Sequence, residues 1–494
     1  MKYLISGVAL FSVVALGGCK KFLDQNPDSN RANIETPEQV SQLLVSAYTQ
    51  ANYLTFVEAM SDNAEDKQQG GVTPPNEDSY KFRVVNADAS QQDSPDMYWS
   101  SAYQAIASCN QALDIISKAS NPEAYSAQKG EALVARAYAH FMLVCLYSQF
   151  FDPTGTNESM GIPYVDEPED VVNKQYDRKT VAYVYERVQQ DLEEGLPLIE
   201  NSTYDVPRYH FTKEAANAFA ARFFLYKNDY AKVLTHCNAV FPGVDISLVL
   251  RPWNTEWKAY AYQELWENFS RATTNSNLLL VETYSLWGRS NYSYRYAYTN
   301  NILQKAWSVK AVCGSPTWIF QNKLYTVGNT NYLIPKLSEY FKANSINANF
   351  GQPLVMVPLF DAEEVLFNRA EANVYLGNYT AALNDLNKYV AARALNYAPA
   401  LHTVTEARIV AYAGAGVSLR DAYIKTILDL RRLEYLFQGM RWFDMQRYKM
   451  PVTHTWRTTD NTTTETVTLP AGDPRRVLQL PTTVGLSGVP LNPR

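Results

Sequence analysis

Two stretches of this chain, far apart, repeat one spacing of side-chain types. Ala221, Phe224, Tyr230, Val233 and Cys237 stand at successive offsets of 3, 6, 3 and 4 residues, and Ala370, Asn373, Tyr379, Ala382 and Leu386 reproduce those offsets. Offsets of three and four keep side chains on one face of a helix. The six-residue step spans a short turn before each tyrosine, "KND" in one copy and "LGN" in the other. Each copy therefore reads as two antiparallel helices joined by a tight turn. The small residues let the helices approach, and the tyrosine fills their corner. A single helix pair cannot bury its apolar face alone, so such units imply a stack. The copies are 149 residues apart, which predicts an interrupted array.

Other segments follow the same period. Thr36-Pro37-Glu38 has the form of a helix start: an N-cap, a proline at the first position and an acidic first turn. Residues 97–118 carry Trp99, Tyr103, Ile106, Leu113 and Ile116 on one face. Residues 129–150, "KGEALVARAYAHFMLVCLYSQF", are apolar nearly all round and predict a buried helix. Further helices are expected at 180–199, 212–227 and 229–240. Between 243 and 360 the helical pattern gives way to turn clusters, "ATTNSN", "VGNTN" and "NSINANFGQP". Trp253, Trp257, Trp266, Trp287, Trp307 and Trp318 all fall in this segment. Long irregular segments in compact proteins are functional or disordered, and so many aromatic residues argue against disorder.

The N-terminus, "MKYLISGVALFSVVALGGCKKF", opens with the basic Lys2 and an apolar or small run from Leu4 to Gly18. That run is short for a membrane span of about 20 residues and suits a secretory signal. Leu16-Gly17-Gly18-Cys19 resembles the lipobox of bacterial lipoproteins, in which the cysteine thiol is acylated. Residues 1–18 are then a signal peptide, and the mature chain is anchored through Cys19 by acyl chains worth about 0.8 kcal/mol per buried methylene. Four cysteines remain, Cys109, Cys145, Cys237 and Cys313. Three lie in apolar helical patterns, where cysteine behaves as a small hydrophobe. Export would permit disulfides, and the sequence does not choose among the three pairings. No CxxC occurs, so no metal site is expected. A net charge of -6 with no Lys/Arg run excludes an ordinary nucleic-acid binder.

Signatures of catalysis are missing from the sequence. The five histidines, His140, His210, His236, His402 and His454, show no HExxH spacing, and no G-x-S-x-G elbow occurs. Glu193-Glu194 and Glu363-Glu364 are adjacent pairs, which point about 100° apart on a helix and do not flank one bond as a glycosidase couple must. The acidic "SDNAED" at 61 lacks the spacing of a calcium loop. A non-enzyme without cofactor is the expectation. Binding has better support: 35 tyrosines and nine tryptophans supply rings with a polar handle. In "SLWGRSNYSYRYAYTNN", Tyr292, Tyr294, Tyr296 and Tyr298 alternate, so an extended chain would project all four from one face. Trp287 precedes them, and Trp253 and Trp257 stand at i,i+4 in "RPWNTEWKAYAYQELW". These seven rings either pack on the body or form a platform on which the C–H faces of sugar rings lie. As candidate ligand contacts, they mark 243–360 as the ligand region.

Near the C-terminus the chain reads "LRRLEYLFQGMRWFDMQRYKM", with Arg431, Arg432, Glu434, Gly439, Arg441, Trp442, Phe443 and Asp444 in the pattern Arg-Arg-x-Glu…Gly-x-Arg-Trp-Phe-Asp. Together with the lipobox, this resembles the SusD/RagB family of outer-membrane nutrient-binding lipoproteins. Other pieces follow in the same order: Trp99-x3-Tyr103-x2-Ile106-x3-Asn110, "ARAYAHFMLVCLY", "GIPYV" at 161, "DAEEVLFNRAEANVYLGNYTAALNDLN" at 361 and "RVLQLP" near the end. Gln438, often Glu in the family, and Met440 are small departures. Read from spacing, Arg431/Glu434 and Asp444/Arg447 at i,i+3 suit salt bridges within the helix, so the motif reads as structural.

The resemblance implies a mostly α body (residues 19–494) of tetratricopeptide-like helix pairs, with scaffold at 36–242 and 361–448 and a loop-rich insertion carrying a few short strands. It also implies a lid over a SusC-like TonB-dependent outer-membrane transporter, to which captured oligomers are presented. Glycans are the usual ligands, and one branch handles peptides. The aromatic richness of the insertion favours glycan, because a peptide cleft pairs extended backbone and needs fewer exposed rings.

Overall fold

The computed structural model describes residues 34–494 except 69–75, 86, 172–173, 344, 346, 347, 349 and 459–461. The lipobox and Cys19 lie outside the described residues. The principal helices are α1 (Pro37–Leu44), α2 (Leu54–Met60), α3 (Pro95–Lys118), α4 (Ser126–Tyr147), α5 (Val181–Gly195), α6 (Lys213–Tyr226), α7 (Tyr230–Val240), α8 (Tyr262–Phe269), α9 (Ala362–Tyr375), α10 (Tyr379–Arg393), α11 (Leu419–Glu434) and α12 (Met440–Arg447). The protein is mostly α, with short strands beside the helices. No helix among the described residues is long and apolar enough to cross a membrane.

Local chemistry sets the helix ends as the sequence suggests. The Thr36 side chain accepts from the Gln39 amide, and Gln39 answers at the Thr36 amide, a complete capping box with Pro37 at the first position. α4 is buried along nearly its whole length, which requires neighbours all round; α3, α5 and α6 supply them. Gly130 and Gly195 let α4 and α5 approach. A Cβ on Gly130 would fall 2.8 Å from Leu198 Cβ, and one on Gly195 would fall 2.8 Å from Leu133 Cβ.

The two repeat copies are α6/α7 and α9/α10, with Ala221, Ala370 and Ala382 fully buried at the close approaches. Contrary to the expected interruption, α7 packs directly on α9. The Tyr230 and Tyr375 rings stack across that contact at 4.1 Å with planes 4° apart. The array is continuous in space and the insertion is looped out of it.

Strand pairing ties the insertion's two ends together. β2 (Asn277–Tyr284) lies antiparallel to β7 (Gly351–Asp361), which pairs on its other side with β6 (Glu339–Ala343). Two smaller antiparallel pairs are β1 (Glu65–Asp66) with β3 (Tyr296–Ala297) and β4 (Tyr325–Val327) with β5 (Asn331–Leu333), and β8 (Val452–Arg457) with β9 (Thr464–Leu469) forms a C-terminal hairpin. One hydrophobic core runs through helices and insertion alike. Cys109, Cys145, Cys237 and Cys313 are buried free thiols.

The Arg-Arg-x-Glu segment does bury its charges, with partners other than those its spacing suggests. Arg431 donates to Asn368 at 2.7 Å and faces Glu364 and Asp444, not Glu434. Glu434 receives Arg393 in a two-point contact at 2.7 and 3.1 Å. Each charge therefore bridges helices instead of bracing its own. The Asp444–Arg447 pair does form, at 3.3 Å. Gly439, at φ 75°, turns the chain between α11 and α12. Its amide donates to Glu58, and any Cβ there would strike Val57 at 2.7 Å.

Arg441 grips Asp62 at 2.8 and 2.9 Å, and Arg432 bonds Asn63 and the Asp62 carbonyl. Burial works to raise the Asp62 carboxyl, but the hydrogen-bonded Arg441 guanidinium, with Arg432 beside it, holds it down at about 2. A depressed carboxyl adds stability above its unfolded pKa, near 3.9, that disappears as pH falls through the folded value. Asp62→Asn should therefore melt at a lower temperature than wild type at pH 7, and the gap should narrow between pH 4 and pH 2. Thermal unfolding followed by circular dichroism across that range is the check; a constant gap would contradict it.

Candidate functional site

The structure breaks up the alternating tyrosine segment. Trp287–Ser290 forms a helical turn and Asn291–Ser293 a 3-10 turn, so only Tyr296 and Ala297 are in a strand. Tyr294, Tyr296 and Tyr298 turn into the protein instead of presenting a shared outer face. Tyr296 stacks on Tyr80 at 4.4 Å in a small separate cluster with Trp456. Tyr298 lies 4.0 Å from Phe437, and its hydroxyl accepts from the Phe437 amide at 2.8 Å and from Asn63 at 3.2 Å.

Trp287 is also internal, donating through Nε1 to the Phe437 carbonyl at 3.1 Å. Trp253 and Trp257 sit on a series of turns, not on a helix face, and meet edge to face at 5.2 Å in the core. Trp253, Trp257, Trp287, Tyr294, Tyr296 and Tyr298 are thus corrected from ligand contacts to core residues. A ring with no exposed face has nothing on which a sugar can lie. Tyr292 alone of the seven stays half-buried at the surface.

Around Tyr292 the insertion assembles a different group of rings. α8 carries Tyr262 and Trp266 one turn apart, with centroids 5.3 Å apart. Its neighbouring stripe, Leu265 and Phe269, is buried and fixes the helix to the core. Tyr325 on β4 meets Tyr262 edge-on at 4.8 Å and 87°. Burial raises the Tyr262 hydroxyl, and the nearby hydroxyls of Tyr292 and Tyr325 raise it further. Tyr332, opposite Thr326 in the β4–β5 hairpin, is half-buried on the other face of that hairpin from Tyr325.

Polar groups are woven between the rings. Lys67 Nζ donates to the Tyr292 carbonyl at 2.5 Å and to Asn331 Oδ1 at 2.9 Å, joining β1, the tyrosine segment and β5. Desolvation brings that ammonium down to about 8. Lys323 Nζ donates to the Tyr260 carbonyl at 2.7 Å and pins the start of α8 to the hairpin base. The result is a set of partly exposed rings, supplied by α8, the 291–293 turn and the hairpin, with an amide and an ammonium beside them. Stacking area with a few placed polar groups suits neutral, hydroxyl-rich ligands.

The sequence held a signal for this group. Tyr262 and Trp266 are at i,i+4 with Gln263, Glu264 and Glu267 around them, and Tyr325 and Tyr332 flank "VGNTN", a hairpin turn. Among the described residues, no three His, Cys, Asp or Glu side chains are grouped to hold a metal ion.

Two family models match the chain: one described as "Starch-binding associating with outer membrane" over residues 21–225, and one for the SusD family over residues 284–477. The chain belongs to the SusD/RagB family. A SusD-like protein from Formosa agariphila is 22% identical over 90% of both chains. Among solved SusD-type structures, a putative sugar binding protein from Bacteroides vulgatus superposes with TM-score 0.66 at 19% identity, covering 94% of this chain and 99% of that one. A laminarin binding SusD-like protein gives TM-score 0.55 at 15% identity, covering 93% and 99%. At these identities the structures speak to the SusD fold alone.

Tyr296 and Tyr298 give this assignment a direct test. The Tyr298 hydroxyl is tied to a buried network, whereas that of Tyr296 has no hydrogen-bond partner among the described residues. Tyr298→Phe should lower stability by about 1–3 kcal/mol, and Tyr296→Phe should be neutral or slightly stabilising. Chemical denaturation distinguishes the two; equal, negligible effects would return both rings to the surface.

Proposed function

We propose that this protein is a cell-surface lipoprotein that captures oligosaccharides or polysaccharides and hands them to a SusC-like TonB-dependent outer-membrane transporter. The observation that carries the proposal is the group of part-exposed rings, Tyr262, Trp266, Tyr292 and Tyr325, held on a rigid core in a member of the SusD/RagB family. Rings fixed by packing lose little entropy when a ligand arrives. Asn331 and Lys67, bonded to each other at 2.9 Å, supply an amide and an ammonium next to Tyr292 for sugar hydroxyls. The role needs no catalytic group, and the protein is proposed as a binder and not an enzyme. The family model described as starch-binding supports the ligand class. Cys19 is the proposed point of lipid attachment.

Calorimetric titration of a soluble form beginning after Cys19, against an oligosaccharide panel and in parallel a mixed peptide digest, tests the reading. At least one glycan should bind saturably, and Tyr262→Ala combined with Trp266→Ala should weaken it at least tenfold, about 1.4 kcal/mol, without unfolding the protein. Saturable binding of peptides alone would replace the glycan by a peptide on the same body.

Anchoring is checked separately. In cells, Cys19→Ala should move the protein from the detergent-rich phase to the aqueous phase on phase partition and abolish acyl labelling. Unchanged partition would leave the anchor elsewhere.

A further inference from the structure

A second recess lies on the helical scaffold, on elements that contribute nothing to the aromatic group. It is a cleft of about 420 Å³ between loop 151–157 and α5, within the usual range for small-ligand sites of about 300–1,000 Å³. Its loop is built to hold one shape. Asn157, at φ 56°, accepts from the Asp152 amide at 2.7 Å and donates to the Asp152 and Gly155 carbonyls at 2.8 and 3.1 Å. Thr154 caps the Asp152 carboxylate, Lys449 pairs with it at 2.8 Å, and the Ala182 amide reaches back to the Asn157 carbonyl at 3.0 Å.

Phe151 forms part of the lining, its ring stacked at 4.3 Å on buried Tyr185. The helical wall presents Glu186, Gln189, Gln190 and Glu193, which share one face of α5 by their spacing. Some of these groups are already engaged: Lys227 donates to Gln189, and Lys232 and Gln189 donate to Glu193 at 2.8 and 2.9 Å. Others are open. Glu186 makes no hydrogen bond or ion pair among the described residues. Gln190 uses only its oxygen, toward Arg187 at 2.9 Å, and its amide hydrogens have no partner among the described residues. The Thr156 hydroxyl is unengaged among the described residues.

We infer that this cleft is a second binding site, for a single neutral sugar ring or a sugar of two rings. An open carboxylate accepts from hydroxyls, an open amide donates to them, and a ring offers a face to C–H groups. The lining holds two carboxylates, Glu186 and Glu193, against one ammonium, Lys227, which disfavours phosphates and other anions. The inference stands whether or not the aromatic group of the insertion binds glycan.

The test is saturation-transfer NMR on the chain from residue 20 onward with free glucose, galactose, mannose and xylose as probes. The expected result is a saturable signal from at least one of them, strongest at the ring protons of one C–H face. It should persist in Tyr262→Ala/Trp266→Ala. It should weaken at least tenfold in Glu186→Ala/Gln190→Ala, two exposed positions whose replacement should leave the melting temperature unchanged. Phe151→Leu, which keeps apolar volume, should remove the preference for one face. No saturable signal from any of the four sugars would overturn the inference. So would a signal indifferent to Glu186→Ala/Gln190→Ala, or one lost with Tyr262→Ala/Trp266→Ala.

Discussion

Arg393 holds three parts of this protein at one point. From the end of α10 it donates to Glu434 on α11 and, at 2.7 Å, to Glu363 on α9. Glu363 in turn receives Arg251 at 2.8 Å, and Arg251 also reaches Asp361 at 3.0 Å and Asn277 at 2.7 Å. These charges are all buried. Arg251 and Asn277 come from the first part of the insertion, Asp361 and Glu363 from its exit into α9. The chain thus leaves the helical array and returns to it across a single ionic network. Swapping such a network for packed apolar residues can be neutral, whereas deleting one partner strands the others and costs about 3–5 kcal/mol. The geometry of the insertion depends on that network staying whole.

From this anchor the insertion divides its aromatic residues by depth. Trp253, Trp257, Trp287, Trp307 and Trp318 fill the core beneath it. Tyr262, Trp266, Tyr292 and Tyr325 remain half-buried. The first set supports the second: Leu265 and Phe269 hold α8 down, and Lys67 and Lys323 lace the hairpin and the 291–293 turn to their neighbours. A stacking surface needs that support, since mobile rings would have to be ordered at each binding event.

The family motif at 431–444 belongs to the same economy of structure. Its arginines and carboxylates are spent on contacts with other parts of the body, at Asn368, Glu364, Asp62 and Arg393. In this chain, the residues of that motif hold the body together, and the part-exposed rings of the proposed ligand site lie in the insertion.

What the sequence determined by itself was the helical body. The N-cap at Thr36, the all-round apolar α4 and the matched offsets around Tyr230 and Tyr379 were legible because helix periodicity and capping act within a few residues of one another. Tertiary structure decided the rest. That α7 meets α9 across the excursion, that Glu434 pairs with Arg393 and not Arg431, and which rings reach solvent all depend on residues distant in sequence. Alternation in Tyr292–Tyr298 implied one outward face only on the assumption of a strand. The chain coils at 287–293 and then passes between Tyr80 on one side and Phe437 on the other. A tyrosine or tryptophan gains by burying its apolar ring and gains by stacking on a ligand. Residue type leaves the two uses indistinguishable, and only the packing around each ring separates them.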